Sequence, residues 1–332
     1  MYAIPIKPIK DKASYFFLSY KDENGEYSIF VVQNWNKMKK HAFLIGAYQN
    51  PDYLLSLVNS LDSERSNIYI HINKQFIADF SDFIKSVSDR PNIIVVNPIY
   101  VRWGGQTLLQ SMMRMLDVAR MSLDNNWFHF ITGQDILIKP LSCLFEFFDN
   151  HPDENYIEYG SDLLSLDSKS YLIGINRSQH YHLFDYLNYR GNRLHRQIEK
   201  WFVRTQQLLH LKRKWPFPNY YQGSGWFSLN RKAIDVLTDY LIKHSDVIKF
   251  TFAPDEVIIQ SVILNNKEKL NVVNNNLRLI VWDNRGEVGS PVILTEEHID
   301  IIKKTDRFFA RKIDPIRSKR LIEILINKDI KQ

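Results

Sequence analysis

A single cysteine, Cys143, leaves this 332-residue chain without an internal disulfide and suits a reducing compartment. Set among Leu141, Leu144 and Phe145, it is expected to be a packed, inert thiol and not a nucleophile. No run of roughly 18 apolar residues occurs, so no transmembrane helix is expected. The N-terminus also lacks the basic-then-apolar layout of a secretory signal. The expected location is therefore cytoplasmic, with peripheral attachment at the inner face of the membrane left open. Several motifs are absent as well. Without G-x-x-x-x-G-K-[ST], or G-x-G-x-x-G after the first strand, P-loop ATPases and dinucleotide enzymes are disfavoured. Zinc-type ligand pairs and G-x-S-x-G are missing too, which lowers metal-centre and α/β-hydrolase readings. There are no internal repeats and no low-complexity tracts.

What is present can build a core. Hydrophobic residues make up 45% of the chain and aromatics 13%, enough for one large α/β domain or two smaller ones. The net charge of +6 favours anionic partners: a nucleotide diphosphate, an anionic membrane surface or nucleic acid.

Residues 1–37 mix Lys and Pro with short apolar pieces and read as an extension holding at most a small hairpin. The core is expected to start at Met38, which is also a candidate for the true chain start. From His41 the pattern is regular. Strands are expected over 41–48, 67–73, 92–96 and 127–131, with helices opening at Asn50-Pro51, at Phe76 and before Leu108. Asn50 is expected to cap the first of these helices. Leu108, Leu109, Met112, Met115, Leu116 and Ala119 have helical spacing, so the methionines read as core filler. His129, between two phenylalanines, reads as a satisfied buried histidine. Strands alternating with helices point to βαβ units, a mostly parallel central sheet flanked by helices, and a ligand site beyond the strands' carboxyl ends.

Two stretches draw attention. Between Tyr186 and Lys214 eight basic residues interleave with Tyr189, Trp201, Phe202 and Trp215. A solvated helix face comes first as an explanation, membrane-surface or acceptor contact second, and nucleic acid last, since no reading motif accompanies the charge. The second stretch is Ala253-Pro254-Asp255-Glu256. Pro254 is expected at the first position of a helix, with both acids in its first turn. Helix-dipole complementarity explains such a pair blandly; a rigidly held general base is the sharper alternative.

Taken in order, Ile-Tyr-Ile-His-Ile-Asn-Lys (68–74), Trp-Gly-Gly (103–105), Thr-Gly-Gln-Asp (132–135), Gly-Ser-Gly-Trp-Phe (223–227), Ala-Pro-Asp-Glu (253–256) and Phe-Ala-Arg-Lys (309–312) resemble the core-2/I-branching β-1,6-N-acetylglucosaminyltransferase family, which includes peptide O-xylosyltransferases. The resemblance runs from about Lys40 to Asp314 and implies a GT-A-like glycosyltransferase domain over 38–314, with 315–332 left as a basic C-terminal helix or tail. Animal relatives carry a membrane anchor and many cysteines, so a bacterial member is expected. It further implies inverting transfer of GlcNAc, with xylose second, from a UDP-sugar to a hydroxyl of a cell-surface or lipid-linked glycan, without metal or other cofactor and without nucleic acid. The chain contains no Asp-x-Asp, which agrees. By the same resemblance Glu256 is the catalytic base, with Asp255 its structural neighbour. Lys312 neutralises the departing diphosphate; Arg311 is a weaker candidate because neighbours on an extended chain point opposite ways. Asn73 stands where relatives have an Asp on the uridine side. Trp103 stacks on the base or packs in the core. Gly223 and Ser224 let backbone approach the donor, and Trp282 lines the acceptor site. Asp135 makes either an acceptor-hydroxyl contact or a structural turn bond. Two rivals stay open: a glycoside hydrolase pairing Glu256 with Asp135, and a non-catalytic binder of anionic surfaces through 190–214.

Overall fold

A computed structural model of the protein describes residues 15–21, 27–33, 38–162, 179–214, 216–282 and 290–329. Residues 1–14, 22–26, 34–37, 163–178, 283–289 and 330–332 lie outside the described residues, as does Trp215. The chain divides into two compact units, 1–39 and 40–332. In the first, β1 (Tyr15–Lys21) and β2 (Tyr27–Gln33) form an antiparallel hairpin.

The second unit is built on a seven-stranded sheet. Its strands are β3 (Lys40–Ala47), β4 (Ser66–Ile72), β5 (Ile93–Val95), β6 (Asn125–Thr132), β8 (Glu154–Asp162), β9 (Tyr221–Asn230) and β10 (Asn271–Asn274). They lie in the order β10-β8-β9-β6-β3-β4-β5. All neighbours are parallel except at β9, which runs antiparallel to both β6 and β8. A second sheet of three short strands, β7 (Asp135–Leu137), β11 (Arg278–Ile280) and β12 (Phe309–Arg311), has the order β11-β12-β7. This is the expected α/β architecture.

The period of the strands shows how the layers form. Along β3, Ala42 and Leu44 face a core shared with α3 (Gln106–Met121), α6 (Arg231–Lys243) and α7 (Ile258–Leu264). Phe43 and Ile45 face the opposite core, shared with α1 (Pro51–Leu61), α2 (Ser81–Val87) and α4 (Leu141–Asn150). Both faces of the strand are therefore buried, which is why it reads as a continuous apolar run and not an alternating one. Met112 and Met115 are buried in the first of these cores, as the spacing predicts. A third cluster joins the small sheet to α8 (Ile299–Lys304) and α9 (Lys319–Asp329), whose Leu321 and Leu325 are buried. The remaining helix, α5 (Arg193–Leu208), carries the basic segment.

Three local expectations need correcting. Asn50 does sit before α1, but in the left-handed region, and its side chain caps nothing; its carbonyl accepts from the Leu54 N–H at 3.0 Å. Cys143 is exposed: α4 buries Leu144, Phe145 and Phe148, and Cys143 falls on its other face. Pro254–Glu256 forms a separate single 3₁₀ turn, and α7 begins only at Ile258. The Glu256 N–H bonds back to the Ala253 carbonyl, and Val257 then leaves helical geometry. The acidic pair is therefore not in the first turn of an α-helix, and the helix-dipole explanation for it falls away.

Candidate active site

The strands' carboxyl ends and their connections surround a cavity of about 840 Å³. β3 contributes Gly46 and Ala47 with Tyr48 just beyond, β4 contributes His71 followed by Asn73, and β6 contributes Thr132 with Gln134 close behind. Because β9 is antiparallel, it presents its first half, Gln222–Trp226, to the same opening. Glu256, Asp255, Trp282, Arg311 and Lys312 complete the wall. Of the residues singled out in the sequence, Glu256, Lys312, Arg311, Asn73, Trp103, Gly223, Ser224 and Trp282 all line this one cavity.

Asp135 does not. Its carboxylate is fully buried beneath the cavity. Its Oδ2 accepts from the Thr132 N–H at 2.5 Å, the Thr132 hydroxyl at 3.1 Å and the Trp226 indole N–H at 3.2 Å. The register of the small sheet sets Asp135 directly opposite Arg311, and Oδ1 lies 3.6 Å from the Arg311 Nε. An acceptor hydroxyl has no access to it. This also removes Asp135 as the partner of Glu256 in the hydrolase reading.

Arg311 is the residue that these contacts hold. Its guanidinium lies over the Trp226 ring at 3.5 Å, beside Asp135, and is 6% exposed. Burial lowers its pKa, and the neighbouring carboxylate works against that shift. Pleat alternation was expected to turn Arg311 away from Lys312, but β12 ends at Arg311, so alternation does not govern the next residue. Both cations face the cavity. The Lys312 ammonium lies 3.5 Å from the Ser290 hydroxyl. Deeper in, Arg278 is fully buried, donating to the Ser228 hydroxyl at 2.7 Å and the Phe130 carbonyl at 3.0 Å, and burial pulls its pKa down to about 9.

At the other wall, Asn73 is largely committed to structure. Its Oδ1 accepts the N–H groups of Gln75 and Val101, each at 3.2 Å, and its Nδ2 donates to the Val101 carbonyl at 3.0 Å. An amide has two N–H bonds on Nδ2, so a second one is left for a ligand. An Asp here would have none to give. The neighbouring His71 accepts the Ile99 N–H through Nε2, which leaves the proton of the neutral ring on Nδ1. Burial, helped by Arg114, brings its pKa down to about 4.

Trp103 is half-exposed, packed edge-on against Phe184 and Phe252, and covered by the Arg190 guanidinium at 3.9 Å. Gly104 has φ +74°, and a Cβ there would stand 2.9 Å from both Phe184 and Phe252. Its carbonyl accepts the Ala253 N–H at 2.8 Å, which ties the Trp103 loop to the acidic turn. Gly223 answers to the neighbouring strand: a Cβ would come 1.9 Å from the Glu158 carbonyl oxygen of β8. Ser224 accepts from the Asn276 amide at 3.1 Å, and Asn276 also donates to Glu158 at 2.6 Å. Asp255 is buried against Gly225, and Trp282 is largely exposed at the cavity wall.

Sequence reasoning missed Tyr48 and Glu158 as lining residues, and the contact between Arg190 and Trp103. The Tyr48 hydroxyl donates to Gln134 Oε1 at 2.6 Å. Tyr48 directly follows a buried parallel strand, so the rule that ligands sit at carboxyl ends could have marked it. No local signal pairs Arg190 with Trp103.

The model of the core-2/I-branching enzyme family matches residues 41–303. The chain belongs to that family. It is a glycosyltransferase, using a nucleotide-sugar donor and a glycan acceptor. No curated protein matches it in sequence. Among solved structures, the apo form of mouse xyloside xylosyltransferase 1 is 9% identical with a TM-score of 0.35, over 82% of this chain and 97% of that one. The 4-diphosphocytidyl-2C-methyl-D-erythritol synthase of Anaerococcus prevotii is 14% identical with a TM-score of 0.34, over 80% and 95%. Superpositions this loose decide nothing about the site. Among the described residues, no three His, Cys, Asp or Glu side chains come together in a way that could hold a metal ion.

Proposed function

We propose that this glycosyltransferase moves a sugar, GlcNAc first and xylose second, from a UDP-sugar to a hydroxyl of a cell-surface or lipid-linked glycan, with inversion and without metal. The observation that carries this is the cavity itself, where a carboxylate from the turn 254–256 and two cations from 311–312 meet at the carboxyl edge of the sheet. In the proposed reaction Glu256 takes the proton of the acceptor hydroxyl as its oxygen bonds to the anomeric carbon. The bond from that carbon to the UDP oxygen breaks on the opposite face, and its electron pair leaves with the diphosphate. Lys312 and Arg311 carry positive charge toward that diphosphate. Arg311 is suited to this because Asp135 and Trp226 hold its guanidinium in place, so little reorganisation accompanies the developing charge. Trp103 and Asn73 flank the nucleotide end, the first by its ring face and the second by its remaining amide N–H. Gly223 and Ser224 face the donor, and Trp282 offers an indole face to the acceptor sugar. Asp135 is assigned to positioning Arg311 and not to the acceptor.

Metal independence is tested by UDP release with candidate UDP-sugars in excess EDTA. Undiminished turnover is expected, and turnover that returns only on adding a divalent cation would contradict the proposal.

A further inference from the structure

Helix α5 is mounted in an unusual way. Its two buried side chains are polar, Glu199 and Gln206, with Phe202 and Val203 half-buried between them. Glu199 bonds to His182 Nδ1 at 2.7 Å and to the Leu183 N–H at 2.9 Å. Gln206 accepts the Tyr181 N–H at 2.8 Å and donates to the Tyr181 carbonyl at 2.9 Å. These grips fix the rotation of the helix, and the consequence is that its apolar stripe faces outward.

Leu194, Ile198, Trp201 and Leu208 follow one another at helical spacing and fall within about 80° of arc at ~100° per residue. All four are exposed, Trp201 at 66% and Leu208 at 74%. The apolar surface continues past the helix end through exposed Leu209 and Leu211. Along one flank of the stripe run Arg193, Lys200 and Arg204, also exposed, followed by Lys212. Within 186–214 the sole acidic residue is Glu199, and it points inward. Among the described residues none of these four cations forms an ion pair.

We infer that this face docks on an anionic lipid bilayer, with α5 lying in the plane of the interface. An apolar stripe centred on a tryptophan and flanked by cations is the composition that buries shallowly among acyl chains while its charges meet acidic headgroups. A merely solvated face would be polar throughout, whereas here Leu194, Ile198, Trp201 and Leu208 stand exposed beside the cations. A second copy of the chain fits poorly, because it would bring the same basic flank against this one. Arg190, just before α5 in the chain, lies over Trp103 in the cavity wall, so a docked helix would hold the cavity near the membrane surface.

The test is flotation of the full chain with vesicles of phosphatidylcholine alone or with about 30 mol % phosphatidylglycerol, at about 0.05 M and about 0.5 M salt. Flotation with the anionic vesicles only, weakened by salt, is expected. Leu194→Ser/Ile198→Ser/Trp201→Ser and Lys200→Glu/Arg204→Glu should each lower vesicle partition about tenfold or more, with the melting temperature and its shift on adding UDP unchanged. Should the triple variant misfold, Trp201→Ser alone and the charge reversal carry the comparison. Absence of the wild-type protein from anionic vesicles, or binding that the variants leave intact, would overturn the inference. So would a dimer in sedimentation that Trp201→Ser dissociates, since a second copy would then cover the face. The vesicle readout does not depend on whether any sugar is transferred.

Discussion

At the scale of single residues, Asp135 shows how position in the fold overrides residue type. As a carboxylate at a strand's end it resembles a ligand contact, yet three donors and a cross-strand arginine consume it. Its charge matters because a nearly buried guanidinium faces it. Asp135→Asn keeps the shape and removes the charge, leaving Arg311 without that counter-ion. Breaking one side of such a pair is expected to lower unfolding free energy by about 3 kcal/mol, read by urea denaturation. A change within about 0.5 kcal/mol, the range of ordinary surface substitutions, would show that the pair contributes no such charge balance.

At the scale of elements, β3 and β6 carry a pair of histidines that the sheet encloses completely. The His41 Nδ1 and the His129 Nε2 are 2.9 Å apart, and the His129 Nδ1 bonds the Ser228 hydroxyl of β9 at 2.9 Å. The rings are packed among Phe43, Phe145 and Phe148. Burial, reinforced by Arg65, lowers the His41 pKa from the ordinary 6.5 to about 3, and burial holds His129 well below 6.5. Depressed pKa values mean that the unfolded chain binds these protons first. The stabilisation is therefore complete above about pH 6.5 and is lost as pH falls toward 3. His41 contributes a slope of about 1.4 kcal/mol per pH unit within that window, and His129 acts in the same direction. Urea unfolding at pH 7, 6 and 5 should show stability falling steadily, and flat stability across that range would contradict the buried pair. His129 was readable as a buried histidine because phenylalanines flank it. Its partner was not, since His41 becomes a neighbour only through the parallel register of β3 and β6.

At the scale of the whole molecule, the sequence disclosed most of what local pattern controls. Buried parallel strands leave apolar runs such as His41–Tyr48, and a helix packed on a sheet leaves the spacing of Leu109, Met112 and Met115. The members of the cavity were legible as motifs in order. Their geometry was not, because it depends on the short three-stranded sheet that sets Arg311 against Asp135 and on the 3₁₀ turn that lifts Glu256 out of the following helix. The outward stripe of α5 was equally hidden: its basic residues were visible, but the inward grips of Glu199 and Gln206 appear only in the fold. What unites the molecule is that segments from the whole second unit meet at one edge of the sheet, with Glu256 as the proposed base. The most direct measurement is therefore Glu256→Gln, following UDP-sugar turnover beside UDP-induced thermal stabilisation. A loss of turnover of about 10²-fold or more with the UDP shift retained is predicted, and turnover near that of the wild type would contradict the account.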